Sequence, residues 1–382
     1  SPHPESDGLN FGFTEEQALL RAEVRKFLDQ KCAMEEVRKL SETPEGFARH
    51  LWQRMAELGW VGLTIPEEHG GVGLGWVDLV VVLEEVGRTL FPSPLVSSVL
   101  AAAAIARTGS DEQKAEWLPR LADGSVVGAV ALQEAARFDP AGIALEGRAE
   151  GSGFSLRGEK ILVSDAQTAD LFVVAFRTGP DPEEISLALV ERSAEGLSID
   201  AHVTMDRTRR MGRVRFEGVA VGPGALLGEP GDGAALYEHL LDCGAMATTA
   251  EMVGAAEQAV TITTDFARER VQFGEKIGRF QGVKHPLAEM YVDVESFKSL
   301  CYWAAWQLDE GAAEASLAVS RAKAMASDAF ARIGIDGVQL HGGVGYTAEY
   351  DIQLYLKRAK WARAAFGDAD WHYERANRLG GF

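Results

Sequence analysis

Apolar positions along the chain fall into three regimes. From Thr14 onward, Leu19, Leu20, Val24 and Phe27 recur at the spacing of one helix face. Thr14-Glu15-Glu16-Gln17 precedes them and predicts a capping box, with a polar partner three residues after the cap. A second helix is expected to start at Thr43-Pro44, a cap followed by a first-turn proline, and to stop at Gly59. Gly70-Gly71-Val72-Gly73 reads as a loop before a third helix over 77–89. Pro92 and Pro94 break that helix, and Ala-rich helices follow to about Ala122.

Across 123–232 the period shortens. The runs 126–132, 154–156, 171–177, 185–190 and 214–221 are brief and β-rich, with Gly, Asp, Pro and Ser between them. That pattern predicts an antiparallel barrel or sandwich rather than a βαβ array. Residues 233–382 return to helical periodicity in about four segments, interrupted at 273–281 and 342–345. The expectation is an α+β protein of three domains: helical over 1–122, a β-barrel over 123–232 and a helical bundle over 233–382.

Composition narrows the function classes. Hydrophobic residues make up 46% and charged residues 25%, the balance of a globular chain. The net charge of -19, with no run of five or more Lys/Arg, argues against nucleic acid as a partner. Cys32, Cys243 and Cys301 are odd in number, far apart and without metal spacing, so they read as reduced core thiols and no metal site is expected. No signal peptide is visible, the apolar stretches are too short for a membrane span, and the reading is cytoplasmic. The chain opens at Ser1 without a Met, which reads as a trimmed start. Tyr302, Trp303 and Trp306 read as bundle core rather than an aromatic cage.

Three segments, in order, resemble the acyl-CoA dehydrogenases. They are Ile65-Pro66-Glu67-Glu68-His69-Gly70-Gly71; Arg270-Val271-Gln272-Phe273-Gly274 with Ile277 and Phe280-Gln281; and Gln339-Leu340-His341-Gly342-Gly343-Val344-Gly345-Tyr346. The resemblance implies that family's fold, with an N-terminal helical domain, a middle antiparallel β-barrel and a C-terminal four-helix bundle. It also implies FAD and an acyl-CoA substrate, with an electron-transfer flavoprotein as acceptor. In the family the C-terminal residues hold the adenosine and phosphate end of an FAD whose ring sits in a neighbouring subunit. By resemblance Arg270, Gln272, Phe273, Gln281, Gln339, Gly342 and Gly343 take those roles. The chemistry suits them: a guanidinium forks onto phosphate oxygens, a phenyl lies on a ring, and glycines let backbone approach a cofactor.

The other half of the site departs from the family. Where members carry a T-E-P-x-x-G-S-D loop, this chain reads Leu132-Gln133-Glu134-Ala135-Ala136-Arg137-Phe138-Asp139, with Gln133 at the Thr position and Phe138 at the Ser position. The family's W-I-T/S strand reads Leu162-Val163-Ser164, keeping only the Ser164 hydroxyl for the flavin. Dehydrogenation needs a carboxylate to take the α-proton of the thioester while a β-hydride moves to flavin N5. Most members place that Glu 23 residues after the second glycine of the turn, where this chain has Phe366. A minority place it on the first C-domain helix, where this chain has Gly244. No catalytic residue is therefore assigned, with Asp368 as the fallback; Asp368, Asp370, Asp242 and Glu251 read as helix-end or surface carboxylates.

A kept half-site and an eroded half-site together point to the non-catalytic-type subunit of a bacterial heterotetrameric, steroid-CoA-type dehydrogenase, with a second family member as partner. Two alternatives stay open: a homotetrameric dehydrogenase using an atypical base, and a non-enzymatic acyl-CoA-binding or structural homologue.

Overall fold

The computed structural model describes residues 14–135, 142–181 and 184–381. The N-terminal helices are α1 (Glu15–Lys31), α2 (Met34–Glu42), α3 (Arg49–Glu57), α4 (Trp76–Arg88), α5 (Leu95–Thr108) and α6 (Asp111–Ala122). The capping box at Thr14 forms in both directions: Gln17 N donates to Thr14 Oγ1 at 3.2 Å, and Thr14 N donates to Gln17 Oε1 at 3.1 Å. The helix expected at Thr43-Pro44 does not start there. Thr43 is the extended C-cap of α2, and the next helix begins at Arg49. Arg210, brought in from the sheet, donates to the carbonyls of Ser41 and Thr43 and fixes this extended turn. A tertiary cation thus overrides a local start signal.

The middle region is one sheet of β1 (Gly128–Ala131), β2 (Glu146–Glu150), β3 (Gly153–Ser164), β4 (Leu171–Arg177), β5 (Ile185–Glu191), β6 (Leu197–His202), β7 (Met211–Val221) and β8 (Leu226–Leu227). The order is β6-β7-β3-β2-β4-β5-β8, with β1 off that path and parallel to β4. The expectation of purely antiparallel pairing is corrected by β1, whose connection to β4 runs through β2 and β3. β2 and β6 escaped the sequence reading because their outward residues are charged or small. β4 and β5 were legible because six of the seven residues in each are buried, giving continuous apolar runs.

The C-terminal region holds five helices among the described residues: α7 (Ala234–Glu269), α8 (Gln281–Asp309), α9 (Ala315–His341), α10 (Ile352–Ala364) and α11 (Ala369–Leu379). The fifth corrects the expectation of four. A small hairpin of β9 (Val271–Gln272) and β10 (Glu275–Lys276) separates α7 from α8, as the break in periodicity predicted. α4 crosses α7 with backbones almost touching. A Cβ at Gly254 would lie 1.8 Å from the Glu84 carbonyl oxygen, and one at Gly87 would lie 2.0 Å from that of Glu251. Only glycine permits this approach, and it locks the N-terminal helices onto the bundle.

Tyr302 donates to Glu84 at 2.5 Å, joining α8 to α4, and Trp303 and Trp306 lie 5.1 Å apart on the same helix. Cys32, Cys243 and Cys301 are buried single thiols. Among the described residues no His/Cys/Asp/Glu group could hold a metal ion, and no helix is long and apolar enough to cross a membrane.

Candidate functional site

Two separate regions collect the residues singled out from the sequence. The first is a pocket in the sheet domain, where β1, the end of β3 and the start of β7 meet α5 and α10. Leu132, Gln133, Leu162, Val163, Ser164 and Phe366 all line it. Its cavity volume is about 50 Å³, against about 410 and 540 Å³ for two surface clefts. Sites that enclose a small molecule usually measure about 300–1,000 Å³. Ser164 Oγ is 3.4 Å from the Met211 sulfur, and Gln133 Nε2 donates to the Ala135 carbonyl at 2.6 Å. Phe138, at the Ser position of the loop, lies outside the described residues.

The two positions that could have carried a proton acceptor are in contact. A Cβ built on Gly244 would lie 2.3 Å from Phe366 Cδ1. The ring of one position therefore covers the backbone of the other. Asp368, the fallback base, is committed elsewhere: its carboxylate accepts from Trp371 N at 2.9 Å and caps α11.

Sequence reasoning missed the charges behind this pocket. Asp165 and Arg209 line it, and Ser97 Oγ donates to Asp165 at 2.6 Å. Burial pushes the Asp165 carboxyl up to about 6, against the opposing pull of Ser97 and Arg209. Arg209 pairs with Glu251 of α7, although no well-angled hydrogen bond joins them, and its guanidinium lies 5.0 Å over the Trp361 ring. Arg358 of α10 donates to Asp206 at 2.7 Å and Thr208 at 2.6 Å. Glu251 is thus a buried partner rather than a surface carboxylate. Asp242 is corrected likewise: Arg375 and Ser316 each donate to it at 2.6 Å. Asp370 is exposed, as read from the sequence. Nothing local marks Arg209 or Arg358 as buried, because both sit in charged stretches and their partners Glu251 and Asp206 lie on other elements.

The second region is an exposed face of the bundle. Arg270 follows α7, Gln272 and Phe273 sit in the hairpin, Gln281 opens α8, and Gln339, Gly342 and Gly343 end α9. Phe266 joins the two motifs by stacking on His341, with ring centroids 4.3 Å apart. Phe273 is 95% exposed, and among the described residues the Arg270 guanidinium has no hydrogen bond or ion pair. A Cβ on Gly342 or Gly343 would meet nothing within 4 Å, so this face is open.

Ser164, the remaining cofactor candidate, lies apart from this face and lines the barrel pocket. Among the described residues five non-glycine residues have left-handed backbones: Leu90, Leu162, Asp165, Phe273 and Phe366. Four of the five fall in these two regions, the pattern of strain stored at functional sites.

Comparison with known proteins agrees in order and extent. The pattern described as "Acyl-CoA dehydrogenase, N-terminal domain" matches residues 14–125, the middle domain 133–219 and the C-terminal domain 231–378. The acyl-CoA dehydrogenase IpdE2 of Mycolicibacterium smegmatis is 32% identical, over 93% of this chain and 95% of the relative. The chain belongs to the acyl-CoA dehydrogenase family.

Two solved family structures are close in shape. A variant of the Tcur3481-Tcur3483 steroid ACAD superposes with a TM-score of 0.88 at 31% identity, covering 96% of this chain and 98% of that one. A chain of the ChsE4-ChsE5 complex from Mycobacterium tuberculosis gives 0.90 at 29% identity, covering 98% and 99%. Acyl-CoA dehydrogenases are FAD-dependent flavoproteins. The open bundle face could hold the anionic middle of FAD, with Arg270 on phosphate oxygens and Phe273 beside a ring. The barrel pocket does not fit an isoalloxazine ring: its cavity is too small, Leu162 and Phe366 crowd it, and a carboxylate caps the adjacent helix N-terminus.

Proposed function

We propose that this chain is the base-lacking subunit of a heteromeric, FAD-dependent acyl-CoA dehydrogenase, lending its bundle face to a flavin seated in a different subunit's barrel. The observation that carries this reading is that the two positions where the family resemblance puts the base hold Phe366 and Gly244, packed on each other, and neither side chain can accept a proton. The open face of Arg270, Gln272, Phe273, Gln281, Gln339, Gly342 and Gly343 supports the other half. The partner would be a second acyl-CoA dehydrogenase-like chain with an intact carboxylate. Similarity to members of the Tcur3481-Tcur3483 and ChsE4-ChsE5 complexes supports a heteromer, and the former's description favours a bulky, steroid-like acyl-CoA. By family resemblance the electrons pass to an electron-transfer flavoprotein.

The reading is tested by flavin content. Purified alone, the chain is expected to carry no stoichiometric FAD, and to acquire flavin only in a complex with its partner. One FAD per chain in the isolated protein, bleached by acyl-CoA, would overturn it in favour of a homotetramer.

A further inference from the structure

We propose that Phe366, seated on Gly244, is a plug that shuts this chain's own barrel pocket to an acyl thioester, an inference that rests on the base-lacking reading above. Losing a carboxylate requires only that some other residue stand in its place. Here the two positions are matched in shape. Gly244 lies within α7 among buried neighbours, where glycine is unfavourable for a helix and alanine would serve it better. The reason for glycine is the ring: a single methyl at Gly244 would sit 2.3, 2.4 and 2.6 Å from three Phe366 ring carbons.

The ring is also held there against a conformational preference. Phe366 has φ +54°, a left-handed backbone that bulky residues adopt only when surrounding contacts impose it. Those contacts are present. The fully buried Lys323 ammonium donates to the carbonyls of Ala362, Arg363 and Gly367 at 3.0, 3.3 and 2.9 Å. His372, kept neutral by burial, lies with Nε2 2.9 Å from the Phe366 carbonyl oxygen and donates to it. Asp368 caps the helix that follows. The turn is clamped from three sides, and the remaining cavity of about 50 Å³ has room for a few waters at most. The ligand class excluded is a thioester whose reacting carbons would lie where the phenyl now lies.

The test uses the full chain and butyryl-CoA as probe, by equilibrium dialysis and urea unfolding. Phe366→Ala should bind butyryl-CoA at least tenfold more tightly than the parent, and Phe366→Leu should gain less. No gain in Phe366→Ala, or parent binding already as tight, would overturn the plug. Gly244→Ala should lower the urea midpoint in the parent but raise it in the Phe366→Ala background, because the clash needs the ring while the helix favours alanine. The same sign in both backgrounds would also overturn it. If Gly244→Ala alone does not fold, the rise on going from Phe366→Ala to the double variant still decides. Stoichiometric FAD in the isolated parent chain would sink the base-lacking reading, whereas a plug failure appears only in these variants.

Discussion

The bundle face and the barrel pocket treat their polar groups in opposite ways. On the bundle face, Arg270 and Phe273 are exposed, Phe273 meets only the edge of Phe280 among the described rings, and Gly342 and Gly343 have empty space where a side chain would be. In and behind the pocket, the charged groups face neighbours within the chain instead. Asp165 has Ser97, Glu251 has Arg209, Asp368 has the N-terminus of α11, and Gly244 has the Phe366 ring. An unsatisfied, exposed constellation is a surface prepared for something outside the chain. A buried, internally paired one is part of the chain's own structure. Under the proposed function the two regions are the separated halves of a shared cofactor site.

The largest expected effect tests whether the pocket wall is a stabilising weld. Glu251→Ala leaves Arg209, and Arg358 with it, short of a buried counter-charge. Removing one member of a buried pair typically costs about 3–5 kcal/mol. A guanidinium unfolding curve should show a loss of that order, and a loss under about 1 kcal/mol would break the contrast. The bundle face comes next. Arg270→Ala in the assembled complex should weaken FAD retention about tenfold or more, the value of about 1.5–3 kcal/mol for a hydrogen bond to a charged group. The same variant should leave the stability of the chain alone within about 0.5 kcal/mol, since Arg270 is exposed. Unchanged flavin content would remove the cross-interface role.

A third expectation concerns pH. The folded-state pKa of Asp165, about 6, stands above its ordinary 3.8. The folded chain therefore keeps a proton that the unfolded chain releases, and this carboxyl's contribution to stability is present below about pH 4 and lost as pH rises through about 6. Asp165→Asn cannot ionise and still offers Ser97 an acceptor. Its stability relative to the parent should rise between pH 4 and pH 7, by on the order of 1 kcal/mol per pKa unit. Paired urea midpoints at the two pH values check this, and a difference that stays flat would show Asp165 to be solvated. The smallest effect belongs to Asp368. Asp368→Asn keeps a good helix cap and should leave turnover of the complex within about twofold. A thousandfold loss would restore the atypical-base reading and sharpen the contrast in the other direction.

Much of the architecture was legible because it is written in local period and local caps. Thr14 and Gln17 signal a helix start that their own side chains complete, and the apolar runs of β4 and β5 announce buried strands. The failures share a cause. Thr43-Pro44 looks like a start and is an end, because Arg210 from β7's approach holds its carbonyls. Glu251 and Asp242 look like surface carboxylates on a long helix, because Arg209 and Arg375 are remote in the chain.

By itself the sequence determined the helix–sheet–helix order, the family and the Phe and Gly at the two positions where family resemblance would put a carboxylate, since each is a property of residue types in linear order. Only the tertiary structure decided that those two positions touch, that the pocket beside Phe366 is small and that the bundle face is open. Contact and cavity depend on distances between segments far apart in the chain, and periodicity carries no information about which remote side chain will fill a given space.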